Sequence, residues 1–209
     1  MILKHIIVGD FQVNCYLIGC EATRQAAIVD PGGSEERILR MIRETNVEVI
    51  AIINTHGHCD HIGANRRIKE ETGAPIWIHE QDTGLLTDTL ANGSTFFYLT
   101  PILSPPADRR LVDGEEVRVG EITIRVAHTP GHTPGGICLQ LPKDGVLTGD
   151  TLFRGSIGRT DLPGGSYETL IRSIREKLMA LDDRTTIYPG HGEFSTIGWE
   201  RQHNPFVKE

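Results

Sequence analysis

The chain lacks the features that mark nucleic-acid-binding and membrane proteins. Its 21 lysines and arginines are outnumbered by 28 acidic residues and form no cluster, which argues against nucleic acid or an anionic membrane as the main partner. No apolar run approaches the length of a membrane span, and residues 1–8 are too short and too interrupted for a secretory signal. These absences predict a cytoplasmic protein with a small-molecule partner.

Cysteine is scarce, and the four that occur show no zinc-finger spacing. We predict that Cys15, Cys20, Cys59 and Cys138 are buried free thiols, as is usual in a reducing compartment. A chain of 209 residues buries roughly 70% of its unfolded surface without covalent staples. We therefore expect a single domain over residues 1–209.

Short apolar runs bounded by glycine, proline or aspartate predict strands at 3–8, 14–18, 26–29, 49–53, 76–78, 122–126, 137–141, 146–147 and 186–188. Helical spacing predicts helices at 35–45, 62–72 and 167–181, with Ser34 and Ser166 as N-caps and Gly73 after the second helix. Strands and helices follow one another in a similar order in both halves. The pattern is that of an α/β protein in which two sheet-plus-helix layers face each other.

The densest chemistry lies directly after the predicted strand at 49–53, where three histidines and an aspartate fall within six residues. Imidazole and carboxylate together suit divalent zinc, iron and manganese. One ion rarely takes so many donors from one short loop, so the crowding predicts two ions. Single donors after Pro-Gly or Thr-Gly pairs later in the chain complete a candidate set of seven: His56, His58, Asp60, His61, His132, Asp150 and His191.

This pattern resembles the metallo-β-lactamase superfamily, whose fold is a four-layered αβ/βα sandwich. The resemblance implies one metal held by His56, His58 and His132, a second held by Asp60, His61 and His191, and a carboxylate, Asp150, that bridges both. The lactamases lack a bridging aspartate, so this residue disfavours lactamase activity itself.

The closer resemblance is to the short bacterial branch of the glyoxalase II (hydroxyacylglutathione hydrolase) group. It rests on Val29-Asp30-Pro31-Gly32, on residues 149–153, on the glycine-rich run 155–165 and on Pro189-Gly190-His191-Gly192. Full-length members continue into a helical C-terminal domain that binds glutathione, and we expect this chain to lack it.

The resemblance implies hydrolysis of a thioester or a related acyl compound. Two dications about 3.5–4 Å apart lower the pKa of a shared water and polarise a carbonyl. A thiolate, whose thiol has a pKa of about 8.5, leaves without a strong acid. Asp60 and Asp150 are the carboxylates that we place at the reaction centre. Zinc is the first expectation for the metal, with iron or manganese as alternatives.

Three further residues near the motifs have two readings each. Arg159 either meets a substrate carboxylate or orders its own glycine-rich loop. Asp30 either supports a metal-binding histidine or is a plain turn residue. Cys59 is more simply a neutral spacer than a ligand. The remaining histidines, His5, His79, His128 and His203, match no motif and are predicted to be structural.

Other functions compete with the hydrolase. A neighbouring family, the mononuclear iron persulfide dioxygenases, uses a triad that would match His56, His132 and Asp150. A non-catalytic binding module is a further alternative, whereas a nuclease would need a basic groove. The irregular stretch from Asp82 to Asp108 is open to three interpretations: a lid, an oligomer contact or a packed loop. Whether the protein forms a homo-oligomer stays open.

Overall fold

The computed structural model describes residues 1–143 and 145–208 and contains two six-stranded sheets. The first sheet has the order β1-β2-β3-β4-β5-β6, in which the first three strands are antiparallel and the last four are parallel. Its strands are Ile2–Val8, Val13–Gly19, Gln25–Val29, Glu48–Ile53, Ile76–His79 and Arg109–Leu111.

The second sheet has the order β14-β13-β10-β9-β8-β7 and is antiparallel except for the β10–β13 pair. Its strands, in chain order from β7 to β10, are Glu116–Val119, Ile122–His128, Ile137–Leu141 and Gly145–Gly149, followed by β13 at Thr186–Pro189 and β14 at Ser195–Thr196. Between them, β11 (Leu152–Phe153) and β12 (Ser156–Ile157) form a small hairpin.

Within the part of the chain that the structure describes, six α-helices lie outside the sheets. Helices α1 to α3 are Glu35–Thr45, Cys59–Ile62 and Asn65–Thr72, and α4 to α6 are Ser94–Phe97, Tyr167–Ser173 and Ile197–His203. A 3₁₀ helix covers Glu80–Leu86, and a π-helical turn, Ile174–Leu178, continues α5.

Three separate apolar cores define four layers. Strand β2 is buried on both faces, and alternate residues face opposite sides. Leu17 packs towards α1 and α3, where Ile38 and Ile68 lie, whereas Ile18 packs between the two sheets. A third core, which includes Leu170, joins the second sheet to α5 and α6. The predicted four-layered αβ/βα sandwich is thus confirmed.

The nine predicted strands are present, and the helix predictions need three corrections. Ser34 adopts a left-handed backbone with φ of 54° and does not cap α1; its hydroxyl accepts a hydrogen bond from the amide of Gly9 instead. The helix predicted over 62–72 begins only at Asn65, because Ile62 is the last residue of α2 and residues 63–64 form a turn. The helix predicted over 167–181 ends with the π-helical turn. Ser166 does cap α5, through the amide of Thr169.

The stretch from Asp82 to Asp108 packs on the body of the protein. Its 3₁₀ helix follows β5, the amide of Ser104 bonds the carbonyl of Leu86, and Asp108 accepts a hydrogen bond from the amide of Ile76. In the described part of the chain, no helix is long and apolar enough to cross a membrane.

Burial in the layer between the sheets predicts a large stability effect at Ile124, which is fully buried in β8. Replacing Ile124 with alanine should lower the free energy of unfolding by about 2–5 kcal/mol, because the cavity that remains cannot collapse fully. Ile7→Ala is the control, since Ile7 is 49% exposed and should lose far less. Urea denaturation of metal-free protein measures both; equal losses would contradict the assigned core.

Candidate metal centre

Parallel strands carry most of the candidate ligands to one edge of the sandwich. Parallel strands have their carboxyl ends at the same edge of a sheet, so polar residues that follow them can meet there. Asp30 follows β3, the motif beginning at Thr55 follows β4, and Asp150 and His191 follow the parallel strands β10 and β13. His132 arrives on the loop between β8 and β9.

The structure brings all seven predicted ligands together, in three overlapping groups whose donor atoms lie within 4.8 Å of one another. We call the first the three-histidine group and the second the aspartate-histidine group; the third joins them. The groups are His56, His58 and His132; Asp60, His61 and His191; and His56, His61 and Asp150.

Asp150 contacts both groups. Its Oδ1 lies 3.3 Å from His61 Nε2, and its Oδ2 lies 3.7 Å from His132 Nε2 and 3.6 Å from His191 Nε2. A side chain at residue 190 would exclude this arrangement, since a Cβ on Gly190 would stand 2.3 Å from Asp150 Oδ1. The carboxylate therefore occupies the position of a bridge.

Oxygen acceptors outside the cluster fix the orientation of four histidine rings. The Nδ1 atoms of His132 and His191 lie 2.7 and 2.9 Å from the carbonyl oxygens of Arg159 and Phe11. Because a carbonyl only accepts, each Nδ1 carries the proton and each Nε2 keeps its lone pair. Carbonyl partners of this kind are typical of metal-binding histidines.

Asp30 and Thr55 orient the other two rings. Asp30 Oδ1 accepts from the amide of Thr55 at 2.7 Å, and Oδ2 accepts from its hydroxyl at 2.7 Å and lies 3.1 Å from His61 Nδ1. The Thr55 hydroxyl donates to Asp30, so it accepts from His56 Nδ1 at 3.1 Å. Asp30 thus contacts one ligand and supports another through Thr55, rather than being a plain turn residue.

Ring nitrogens consequently face one another at the centre. His58 Nδ1 is 2.9 Å from His132 Nε2, and His61 Nε2 is 3.2 Å from His191 Nε2. The buried atoms His56 Nε2 and Asp150 Oδ1 have no hydrogen-bond partner among the described residues. Buried acceptors without donors are costly. Divalent cations satisfy them, so the donor set fits two such ions.

Burial and neighbouring charges shift the pKa values of the clustered side chains. Burial, reinforced by His132, lowers the pKa of His58 to about 3, so this ring stays neutral and able to bind a metal. Burial also disfavours charge on His61, but Asp150, Asp60 and Asp30 together outweigh it and raise its pKa. The same pairing with His61 overcomes burial and keeps the pKa of Asp150 well below its usual range.

A further buried carboxylate, Asp82, was not predicted from the sequence. Its Oδ2 accepts from the amide of Gly57 at 3.0 Å and the hydroxyl of Thr133 at 2.7 Å, and its Oδ1 accepts from the amide of Gly135 at 2.6 Å. The available signal was weak: an acidic residue three positions after β5, a parallel neighbour of β4.

The cleft above the cluster has a volume of about 230 Å³ and partly apolar walls. Phe11, Phe97 and Leu162 contribute the apolar surface, and Asn92 contributes a polar one. The Phe11 and Phe97 rings meet edge to face at 5.5 Å. The sequence did not predict that these four residues line the cleft, because they come from three separate segments with no shared motif.

Arg159 lines the same cleft, but its guanidinium pairs with Asp161 through two bonds of 2.8 Å. Both readings of this residue therefore have a structural counterpart: it borders the cleft and also orders its own loop. Its side chain is about half exposed and can exchange Asp161 for another carboxylate.

The other histidines and the cysteines lie outside the cluster. The rings of His79 and His128 stack at 4.0 Å, His5 contacts Phe194, and His203 stacks on Trp199. All four cysteines are buried free thiols, as predicted. Cys59 borders the cleft, and burial, with Asp60 beside it, raises the pKa of its thiol to about 12.

The fold and the gathered imidazole and carboxylate groups agree with the comparison with known proteins. The family model of the metallo-β-lactamase superfamily matches residues 8–191, and the chain belongs to that superfamily. Among curated relatives, hydroxyacylglutathione hydrolase GloC of Haemophilus influenzae is 41% identical over 99% of this chain and 98% of its own.

Solved structures show the same relationship. BLEG-1 B3 metallo-beta-lactamase is 37% identical, with a TM-score of 0.95 over 100% of both chains. The di-iron-bound form of TTHA1623 is 33% identical, with a TM-score of 0.88 over 98% of this chain and 100% of the other. ETHE1 from Myxococcus xanthus is also 33% identical, with a TM-score of 0.83 over 98% and 84%.

The geometry predicts that the purified protein binds two divalent ions and that His132→Ala lowers this number to about one. The substitution removes one of three donors from the three-histidine group and leaves the aspartate-histidine group intact. His203→Ala is the matched control, because its ring stacks on Trp199 outside the cluster. Elemental analysis of protein purified without chelator measures the stoichiometry; equal metal content in both variants would contradict the assignment.

Proposed function

We propose that the protein is a dinuclear-metal hydrolase that acts on thioesters or related acyl compounds. In this proposal the seven gathered side chains are the metal ligands, and the particular activity is close to that of hydroxyacylglutathione hydrolases. The observation that carries it is the position of Asp150, whose two oxygens face the two groups of donors. The 41% identity to GloC over nearly the whole chain supports the choice of substrate class.

Two divalent ions bound here would lower the pKa of a shared water and polarise a substrate carbonyl. The chain's own residues supply the rest. Asp150 lies between the two groups, and Asp60, whose Oδ2 lies 3.3 Å from His191 Nε2, borders the cleft in which the substrate carbonyl would bind. Phe11 and Phe97 form an apolar wall on one side of the cleft. A thioester suits this arrangement because its thiolate leaves without a protonated acid group nearby.

A β-lactamase activity is a second candidate, favoured by the likeness to BLEG-1 over the full length of both chains. The position of Asp150 between the two groups favours the thioester hydrolase over the β-lactamase, because lactamases of the superfamily lack an aspartate there.

A mononuclear iron dioxygenase would use only His56, His132 and Asp150. The four remaining donors, His58, Asp60, His61 and His191, would then have no role, although the fold gathers them with the others. The geometry therefore favours the hydrolase over the dioxygenase.

The zinc-loaded protein should hydrolyse thioesters, with S-lactoylglutathione as the first substrate, faster than a chromogenic β-lactam. Release of thiol, followed with a disulfide reagent, measures the first reaction, and absorbance measures the second. Iron-loaded protein should consume no oxygen with glutathione persulfide. Oxygen uptake without thioester cleavage would replace the hydrolase with the dioxygenase, and faster β-lactam cleavage would make the protein a lactamase.

The proposed contact of Arg159 with a substrate carboxylate has a separate test. Arg159→Gln should raise KM about tenfold for a glutathione thioester and leave KM unchanged for a thioester without charge, since a hydrogen bond to a charged group is worth about 1.5–3 kcal/mol. The backbone carbonyl that orients His132 is retained. Arg154→Gln is the control, because Arg154 pairs with Glu193 outside the cleft. Equal changes for both substrates would instead assign Arg159 to loop order alone.

A further inference from the structure

Asp82 connects two loops that carry metal-binding histidines. Gly57 stands between His56 and His58, and Thr133 directly follows His132. All three histidines of the three-histidine group therefore lie next to a residue that donates a hydrogen bond to this one carboxylate.

The contact is closely packed and depends on a small residue. A Cβ on Gly135 would lie 2.6 Å from Asp82 Oδ1, so only glycine lets the backbone approach this carboxylate. Asp82 is fully buried, and among residues 1–143 and 145–208 it has no ion pair with a lysine or arginine. The three hydrogen bonds that Asp82 accepts offset part of the cost of burying a carboxylate.

We propose that Asp82 is a positioning residue for the three-histidine group, holding the 56–58 loop and the 132–135 loop at the separation at which His58 Nδ1 and His132 Nε2 meet. The inference rests on the metal centre of the proposed function but concerns metal binding rather than the substrate. It gives the beginning of the 82–108 stretch a role, at the back of the metal centre rather than over its opening.

Asp30 provides an internal comparison, because it supports the other side of the centre. Its carboxylate lies against His61, of the aspartate-histidine group, and reaches His56 through Thr55. Asp82 contacts neither the residues next to His61 nor the loop of His191. Loss of the Asp82 carboxylate should therefore weaken one of the two ions selectively.

An asparagine at residue 82 cannot accept all three hydrogen bonds. With its oxygen in the place of Oδ2 it keeps Gly57 and Thr133, but its amide nitrogen then faces the N–H of Gly135. In the flipped orientation it keeps Gly135 and faces the N–H of Gly57. Either way, one backbone donor meets another donor and the two loops move apart.

The test is the affinity of the purified full chain for Zn²⁺, measured by competition with a chromogenic chelator. Asp82→Asn should raise the dissociation constant of one Zn²⁺ by about 10–100-fold, the usual effect of losing a group that orients metal ligands, and leave the other unchanged. The visible spectrum of the Co²⁺-loaded variant should change as well, since it reports coordination geometry. Two ions bound with wild-type affinity would overturn the proposal.

Asp108→Asn is the matched control. Asp108 anchors the far end of the same stretch to Ile76 and Lys69 and contacts neither metal-binding loop. This variant should be less stable than the wild type but bind both ions normally; selective loss of one ion here too would assign the effect to the stretch as a whole and contradict the role of Asp82.

Thr133→Val keeps the proposal falsifiable if Asp82→Asn does not fold. It removes one of the three hydrogen bonds and preserves the carboxylate. The Zn²⁺ held by the three-histidine group should therefore lose a few-fold in affinity. Unchanged affinity for both ions in this variant would overturn the proposal. Because the readout is metal binding, a wild type that binds two Zn²⁺ but cleaves no thioester would contradict the proposed function and leave the role of Asp82 intact.

Discussion

The structure depends on holding seven side chains that are rich in hydrogen-bond acceptors in one largely buried space. Such a cluster does not form by itself, because each acceptor gains nothing from another acceptor. The protein orients the rings by placing an oxygen atom behind four of the five histidines: the carbonyls of Arg159 and Phe11, the Thr55 hydroxyl and the Asp30 carboxylate. These outer contacts leave a lone pair of each ring facing inward, where a cation is the group that satisfies them.

The two-sheet sandwich supplies the rigidity that this arrangement needs. Ligands follow strands whose ends are fixed by the ladders of both sheets, and the layer between the sheets is fully apolar where Ile18 and Ile124 pack. Asp30 and Asp82 then tie the metal-binding loops to the backbone on opposite sides of the centre. These hydrogen bonds restrain the loops next to the candidate ligands, where loop motion would disturb the site most.

Much of this could be predicted from the sequence, for physical reasons that also explain what was missed. Ligands such as His56 and His58 stand in a dense local motif, and strands such as β4 are apolar runs with clear ends, so each is legible from its neighbours. Asp82 has only a weak local signal, because its three donors lie 25, 51 and 53 residues away in sequence. The failed cap at Ser34 has a similar origin: its hydroxyl has a partner in Gly9, 25 residues earlier. Contacts between distant segments are what patterns of spacing cannot reveal.

Strand β2 reaches across from the first sheet to the loop of His191. The Asn14 amide donates to the carbonyls of Pro189 and Gly192, each at 3.0 Å, and the Tyr16 hydroxyl donates to that of Pro189 at 2.6 Å. The loop of His191, which belongs to the second half of the chain, is thus held by hydrogen bonds from the first half. Sliding or parting of the two halves would pull His191 away from its partners, so the sandwich and the metal centre must open and close as one unit. We therefore expect a small molecule to enter the cleft past residues at its rim, such as Phe97, without separation of the sheets.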